Sequence, residues 1–154
     1  MKRFKPVHGI LIVVVFVVGV FILSGGLASR KYVRVSPGPD KLVHIDVGDL
    51  GKDQIRFYRF LNRGNQEVKF LIARDQQGEI QVGFDASETH AKVGRGFRLE
   101  GDWIIDNKCE TASRLEEVNA GGGGCKPVPL EHRVEGQQVV LTQDDILKGW
   151  RLFN

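Results

Sequence analysis

Cysteine is scarce in this sequence: Cys109 and Cys125 are the only two among 154 residues. No Cys-x-x-Cys pair occurs, which leaves out a thioredoxin-type motif, and no Cys-x-x-Cys-His occurs, which leaves out covalent haem attachment. A P-loop is missing as well. Gly121-Gly122-Gly123-Gly124 is followed by Cys125, where a Lys-Ser/Thr pair is needed to meet phosphates and Mg2+. Ser, His and Asp are present, but no signature organises them into a triad. Hydrolase chemistry has no positive support, so the expectation is a protein that is not an enzyme, with a redox role left open.

Charge is absent from one long stretch. Between Gly9 and Ser29 there is no ionisable side chain over 21 residues. An α-helix of that length rises about 31 Å, close to the roughly 30 Å hydrocarbon thickness of a bilayer. Ile10 to Val18 is continuously apolar, so no amphipathic period can be read. Lys2, Arg3 and Lys5 precede the run and no acid does. The positive-inside rule then predicts a cytoplasmic N-terminus, a bias that Arg30, Lys31 and Arg34 weaken from the other side. The predicted organisation is a basic cytoplasmic tail (1–8), a transmembrane helix (9–29), a linker (30–40) turning at Ser36-Pro37-Gly38-Pro39, and an extracytoplasmic domain (41–154). A cleaved signal peptide is the competing reading, with Gly26 and Ala28 as small residues before a cut. The apolar run exceeds the usual signal core of about 7–15 residues, which favours an uncleaved anchor. Gly19 and Ser24-Gly25-Gly26 could let a second helix approach closely.

The three basic residues of the tail account for the whole excess of 22 bases over 19 acids. The remainder of the chain is electrically balanced, and the basic pI is therefore no sign of nucleic-acid binding. The expected partners are the lipid bilayer and other membrane proteins.

The domain reads as mainly β. From Lys41 to Val47, Leu42, His44 and Asp46 alternate with Val43, Ile45 and Val47, the pattern of a half-buried strand. Gln54–Leu61, Val68–Ala73 and Ile80–Phe84 are apolar runs separated by Asn62-Arg63-Gly64-Asn65 and Asp75-Gln76-Gln77-Gly78, which predicts an antiparallel meander. Gly101-Asp102 predicts a hairpin between Phe97–Glu100 and Trp103–Ile105, and Glu135-Gly136-Gln137 another between His132–Val134 and Val139–Leu141. Leu115–Val118 suits a short helical turn. Thr142 followed by Asp145 fits a capping box opening a short C-terminal helix, packed by Trp150 and Phe153. Trp103 is expected in the core, His44 half-exposed and His132 solvated.

Chemistry-bearing residues concentrate between Phe84 and Leu130. The segments are Phe84-Asp85-Ala86-Ser87-Glu88-Thr89-His90, Gly96-Phe97-Arg98-Leu99-Glu100-Gly101, Asp106-Asn107-Lys108-Cys109 and Gly123-Gly124-Cys125-Lys126-Pro127-Val128-Pro129. In order and spacing they resemble the FtrD-like family of membrane iron–sulfur proteins associated with bacterial ferrous-iron uptake. That family's pattern is Phe-Asp-Ala-Cys-x-x-Cys, Gly-Tyr/Phe-Arg-x-Glu-Gly, Cys-x-x-Cys and Gly-Gly-Cys-x-Pro-x-Pro, and the likeness spans roughly residues 79–130. Laid on it, Ser87 and His90 take the first two cysteine positions and Asp106 the third, while Cys109 and Cys125 remain thiols. The resemblance implies a membrane-anchored accessory protein of an iron-transport or electron-transfer assembly in the cytoplasmic membrane. The alternative is a structural subunit of a larger membrane complex with no cofactor.

Four readings of the site stay open at this level. Cys109 and Cys125 form a disulfide, which an oxidising compartment favours and which would stabilise by roughly 3 kcal/mol through closure of its loop. Alternatively His90, Cys109 and Cys125, joined by Asp106, hold a single transition-metal ion, with zinc suited to a tetrahedral set. A third reading keeps an iron–sulfur centre on mixed ligands, and a fourth leaves two free thiols. In each, Gly122, Gly123, Gly124 and Pro127 shape the loop around Cys125, either by permitting a tight bend or by letting bare backbone N–H groups approach the sulfur or an anion.

Overall fold

Between Val68 and Ala73 the chain is apolar on both faces of a strand. Val68, Phe70 and Ile72 point to one side and Leu71 and Ala73 to the other, and all five are buried. Such a strand has to be a middle layer, covered above and below. In the computed structural model, which describes residues 32–154, that is where it lies. The strands are β1 (Tyr32–Val35), β2 (Leu42–Asp46), β3 (Gln54–Leu61), β4 (Glu67–Arg74), β5 (Ile80–Ser87), β6 (Phe97–Glu100), β7 (Trp103–Asp106), β8 (Ala112–Arg114), β9 (Pro127–Pro129), β10 (Arg133–Glu135) and β11 (Gln138–Thr142), with helix α1 (Gln143–Lys148) after them.

They form three sheets. The central one has the order β1-β3-β4-β5-β9, and two three-stranded sheets have the orders β10-β11-β2 and β6-β7-β8. The predicted meander is β3-β4-β5, paired antiparallel in register (Phe57 with Leu71, Phe70 with Phe84). One face of it packs against Val43, Ile45, Val139 and Leu141 of the β10-β11-β2 sheet, around Phe60, Phe70 and Phe84. The other face carries a smaller core of Leu71, Ala73, Phe97, Ile104, Leu115 and Val118. All eight residues of β5 are buried, because this strand runs between both layers. The fold is thus mainly β with one short helix at its end, and the two predicted hairpins are β6-β7 and β10-β11.

Three features depart from the sequence reading. The 30–40 segment is not all linker: Tyr32–Val35 is β1, and it pairs parallel to β3 (Tyr32 with Phe57), which a purely antiparallel meander does not contain. Four residues are too few to give a period, so the strand carries no signal. Strands β8 and β9 are shorter still, at three residues each, and equally silent in the sequence. Pro127 and Pro129 fall within β9, which is the edge of its sheet, where a missing N–H is tolerated. Trp103 is not core: it is 39% exposed, with the Arg114 guanidinium 4.2 Å from the ring centroid. The predicted tail and membrane span (1–8 and 9–29) lie outside the described residues. Among the described residues no helix is long and apolar enough to cross a membrane.

Candidate metal centre

Strand β5 ends at Ser87, and the segments beyond it build the site. After Ser87 the chain leaves the sheet through Glu88 and Thr89 to His90, which precedes a 3-10 turn at Ala91–Val93. Gly94 and Gly96, both at positive φ, bring it back into β6. Hairpin β6-β7 then delivers Asp106 at its far end, paired with Phe97. There the Asp106 carboxylate closes a turn on itself: Oδ1 accepts from Lys108 N (2.7 Å) and Cys109 N (3.2 Å). This fixes Cys109 three residues beyond the carboxylate and on the same side.

Cys125 arrives from the other direction. Gly121, Gly122, Gly123 and Gly124 have φ of 69°, 128°, 67° and 65°, a run that residues with a Cβ adopt only with strain. A Cβ on Gly123 or Gly124 would meet nothing within 4 Å. At Gly123 and Gly124 it is therefore conformation and not space that calls for glycine, as in a tight bend, while at Gly121 an added Cβ would also meet Pro129 Cγ at 2.9 Å. Gly124 O accepts from Thr89 N at 3.5 Å, which draws the loop to the His90 segment. Pro127 begins β9 opposite Ser87.

The result is convergence. One ligand atom each of His90, Asp106, Cys109 and Cys125 lies within 4.8 Å of the others. His90 Nδ1 is 3.7 Å from Cys125 Sγ. Asp106 is buried and the other three are half-buried. Cys109 and Cys125 are joined as a disulfide, with their Cα atoms 6.9 Å apart. Ser87, fully enclosed, donates its hydroxyl to Asp106 Oδ2 at 3.0 Å. It stands beside the group and not in it. A narrow crevice bordered by Asp85, Ser87, His90, Gly96 and Asp106 opens next to the cluster.

Two residues without a role in the sequence reading support this arrangement. Asp85, buried in β5, accepts from Phe97 N at 2.7 Å and from the hydroxyl of Tyr32 on β1. Burial, and next the neighbouring Asp85 carboxylate, push the Tyr32 phenol well above its ordinary pKa, so it remains a donor. Tyr32 cannot be singled out from sequence because its contact with Asp85 spans 53 residues.

A model of the membrane iron–sulfur containing proteins termed FtrD-like matches residues 50–153. The chain belongs to this FtrD-like family. Neither a curated protein nor a solved structure gives a significant match. Family membership makes an iron–sulfur cluster the implied cofactor, and the donor chemistry of this FtrD-like chain does not fit one. Such clusters are held by four thiolates, with imidazole replacing some of them in particular centres. Here the sulfurs number two, and an imidazole and a carboxylate complete the group. The hydroxyl at Ser87 is already committed to Asp106.

Proposed function

We propose that this chain is a membrane-anchored accessory component of an iron-transport or electron-transfer assembly, with its β domain on the extracytoplasmic side and no catalytic chemistry of its own. Its working part is the His90–Asp106–Cys109–Cys125 group, acting as a metal-handling site. The observation that carries this reading is the convergence of four potential ligands, from three separate segments, to within 4.8 Å of one another. Imidazole, carboxylate and two sulfurs are a donor set for a borderline transition-metal ion. Kinship with membrane iron–sulfur proteins and an oxidised cysteine pair both support placement at the outer face of the cytoplasmic membrane. The partners are the bilayer and the other membrane subunits of such an assembly.

A second reading has its own observation, the disulfide itself. In a structural subunit it would staple the glycine loop to the β7 turn and do nothing more. Full-length protein purified in detergent under anaerobic, reducing conditions separates the two. Elemental analysis is expected to find about one equivalent of transition metal, lost in His90→Ala. Metal-free wild-type protein would leave only the structural reading.

A further inference from the structure

We infer that Cys109 and Cys125 make the site a redox-gated binding site for a single divalent ion of the zinc or ferrous class, closed in the disulfide form and opened by a dithiol reductant. The inference rests on the metal-handling reading above and says what that site takes and when.

The two sulfurs that would complete the ligand set are the same two that are bonded to each other. A disulfide sulfur carries no charge and is a poor ligand, since it is the thiolate that binds metal. In the closed form His90 and Asp106 are therefore the only strong donors of the four. The Asp106 carboxylate is held in place by two backbone N–H groups on one oxygen and by Ser87 on the other, which orients it without using up its lone pairs. Two of four ligands make a weak site.

Reduction changes the set without rebuilding the fold. A dithiol reductant gives two electrons and two protons to the Cys109–Cys125 bond and itself becomes a disulfide. The S–S bond is replaced by two S–H groups. An incoming divalent ion displaces both protons to solvent and is met by two thiolates, the Asp106 carboxylate and the His90 imidazole. Metal–ligand bonds of about 2.0–2.3 Å put tetrahedral neighbours roughly 3.3–3.8 Å apart. The four ligand atoms already lie within 4.8 Å of one another, and His90 Nδ1 is 3.7 Å from Cys125 Sγ. A cluster of several irons would spread its ligands over different metal atoms, so this compact group suits one ion. Both cysteines sit on segments outside the strands, the turn that follows Asp106 and the loop of the glycine run, so small shifts of the cysteines leave the sheets untouched.

The test uses the full chain in detergent, stripped of metal, with Co2+ as probe. Three samples are titrated: oxidised, reduced by a water-soluble phosphine (which becomes the phosphine oxide as water supplies the oxygen), and reduced then reoxidised with a small disulfide. The reduced chain is expected to bind about one equivalent, with tetrahedral d–d bands and a sulfur-to-cobalt charge-transfer band. The oxidised and reoxidised chains are expected to show neither. Cys125→Ser is expected to lose the charge-transfer intensity of one thiolate and to bind weakly whatever the redox state. Equal binding by oxidised and reduced chains, or binding without a charge-transfer band, overturns the gate while leaving the metal-handling reading in place. Binding in no state overturns that reading itself.

Discussion

Tyr32 donates its hydroxyl to Asp85 across the central sheet, tying the first strand of the domain to the strand that ends beside the His90–Asp106–Cys109–Cys125 group. Its ring packs edge-on against Phe57 at 5.9 Å, with Lys69 Nζ 5.4 Å from the ring centroid. Tyr32→Phe keeps the ring and removes the donor. Losing one hydrogen bond to a buried carboxylate costs about 1–3 kcal/mol. Urea unfolding should show a lower midpoint with an unchanged slope. A variant as stable as the wild type would show that the contact contributes nothing to the fold.

Gly96 guards the same carboxylate. A Cβ there would sit 2.5 Å from both Asp85 oxygens, and the residue has φ of +62°. Gly96→Ala therefore meets a steric clash and a disfavoured backbone together. The clash falls on a side chain held by Phe97 N, at 2.7 Å, and by Tyr32. A loss of about 2 kcal/mol or more is expected, read by thermal or denaturant unfolding. Gly94→Ala is the control: its φ is +66° but nothing lies within 4 Å of the added methyl, so it should cost only the backbone strain of about 1 kcal/mol. Equal losses at the two positions would contradict the role given to the Asp85 contact.

The meander and both hairpins are legible in the sequence because their strands alternate or run apolar between strong turn signals, as at Gly101 and Gly136, which both adopt positive φ. Short strands are not legible. β1, β8 and β9 have four, three and three residues, and pairing rather than pattern decides them. Trp103 departs from its expected core position because hydrophobicity alone does not say which face of a hairpin turns outward; here it offers its ring to Arg114. His90, Asp106, Cys109 and Cys125 can be named as candidate ligands from sequence and family pattern, and the structure brings them close to one another. Their supports cannot. Ser87 falls at a ligand position of the family pattern, whereas its hydroxyl serves Asp106, and Tyr32 lies in a segment that reads as linker.

Ser87 gives a prediction that separates support from ligation. Its hydroxyl orients a carboxylate that would bind the ion, and partners of this kind tune affinity by about 10–100-fold. Ser87→Ala in the reduced chain is expected to weaken Co2+ binding within that range while leaving the charge-transfer band in place, because both sulfurs remain. Disappearance of the band would mean that the serine holds the whole group together rather than orienting Asp106. Unchanged affinity would mean that Asp106 is not a ligand.

The C-terminal helix supplies a pH-dependent contribution whose sign is set by its cap. Thr142 accepts from Asp145 N at 3.0 Å and donates to Asp145 Oδ2 at 2.6 Å, while Lys148 Nζ lies 2.6 Å from Asp145 Oδ1. The Lys148 ammonium, and next the Thr142 hydroxyl, hold the Asp145 carboxyl below its ordinary pKa. A depressed carboxyl stabilises the fold above its unfolded value, about 3.9, and the contribution disappears as pH falls through the lower folded value. Lys148 is 70% exposed, so solvent screening keeps the ion pair's share small. Thr142→Ala removes the cap and should cost about 1 kcal/mol at neutral pH. That cost should shrink in Asp145→Asn, where the side-chain oxygen that accepts from Thr142 no longer carries charge, and the two substitutions should be less than additive by urea unfolding. Strict additivity would show that cap and carboxylate act separately, and the acid-labile share would then belong to Lys148 alone.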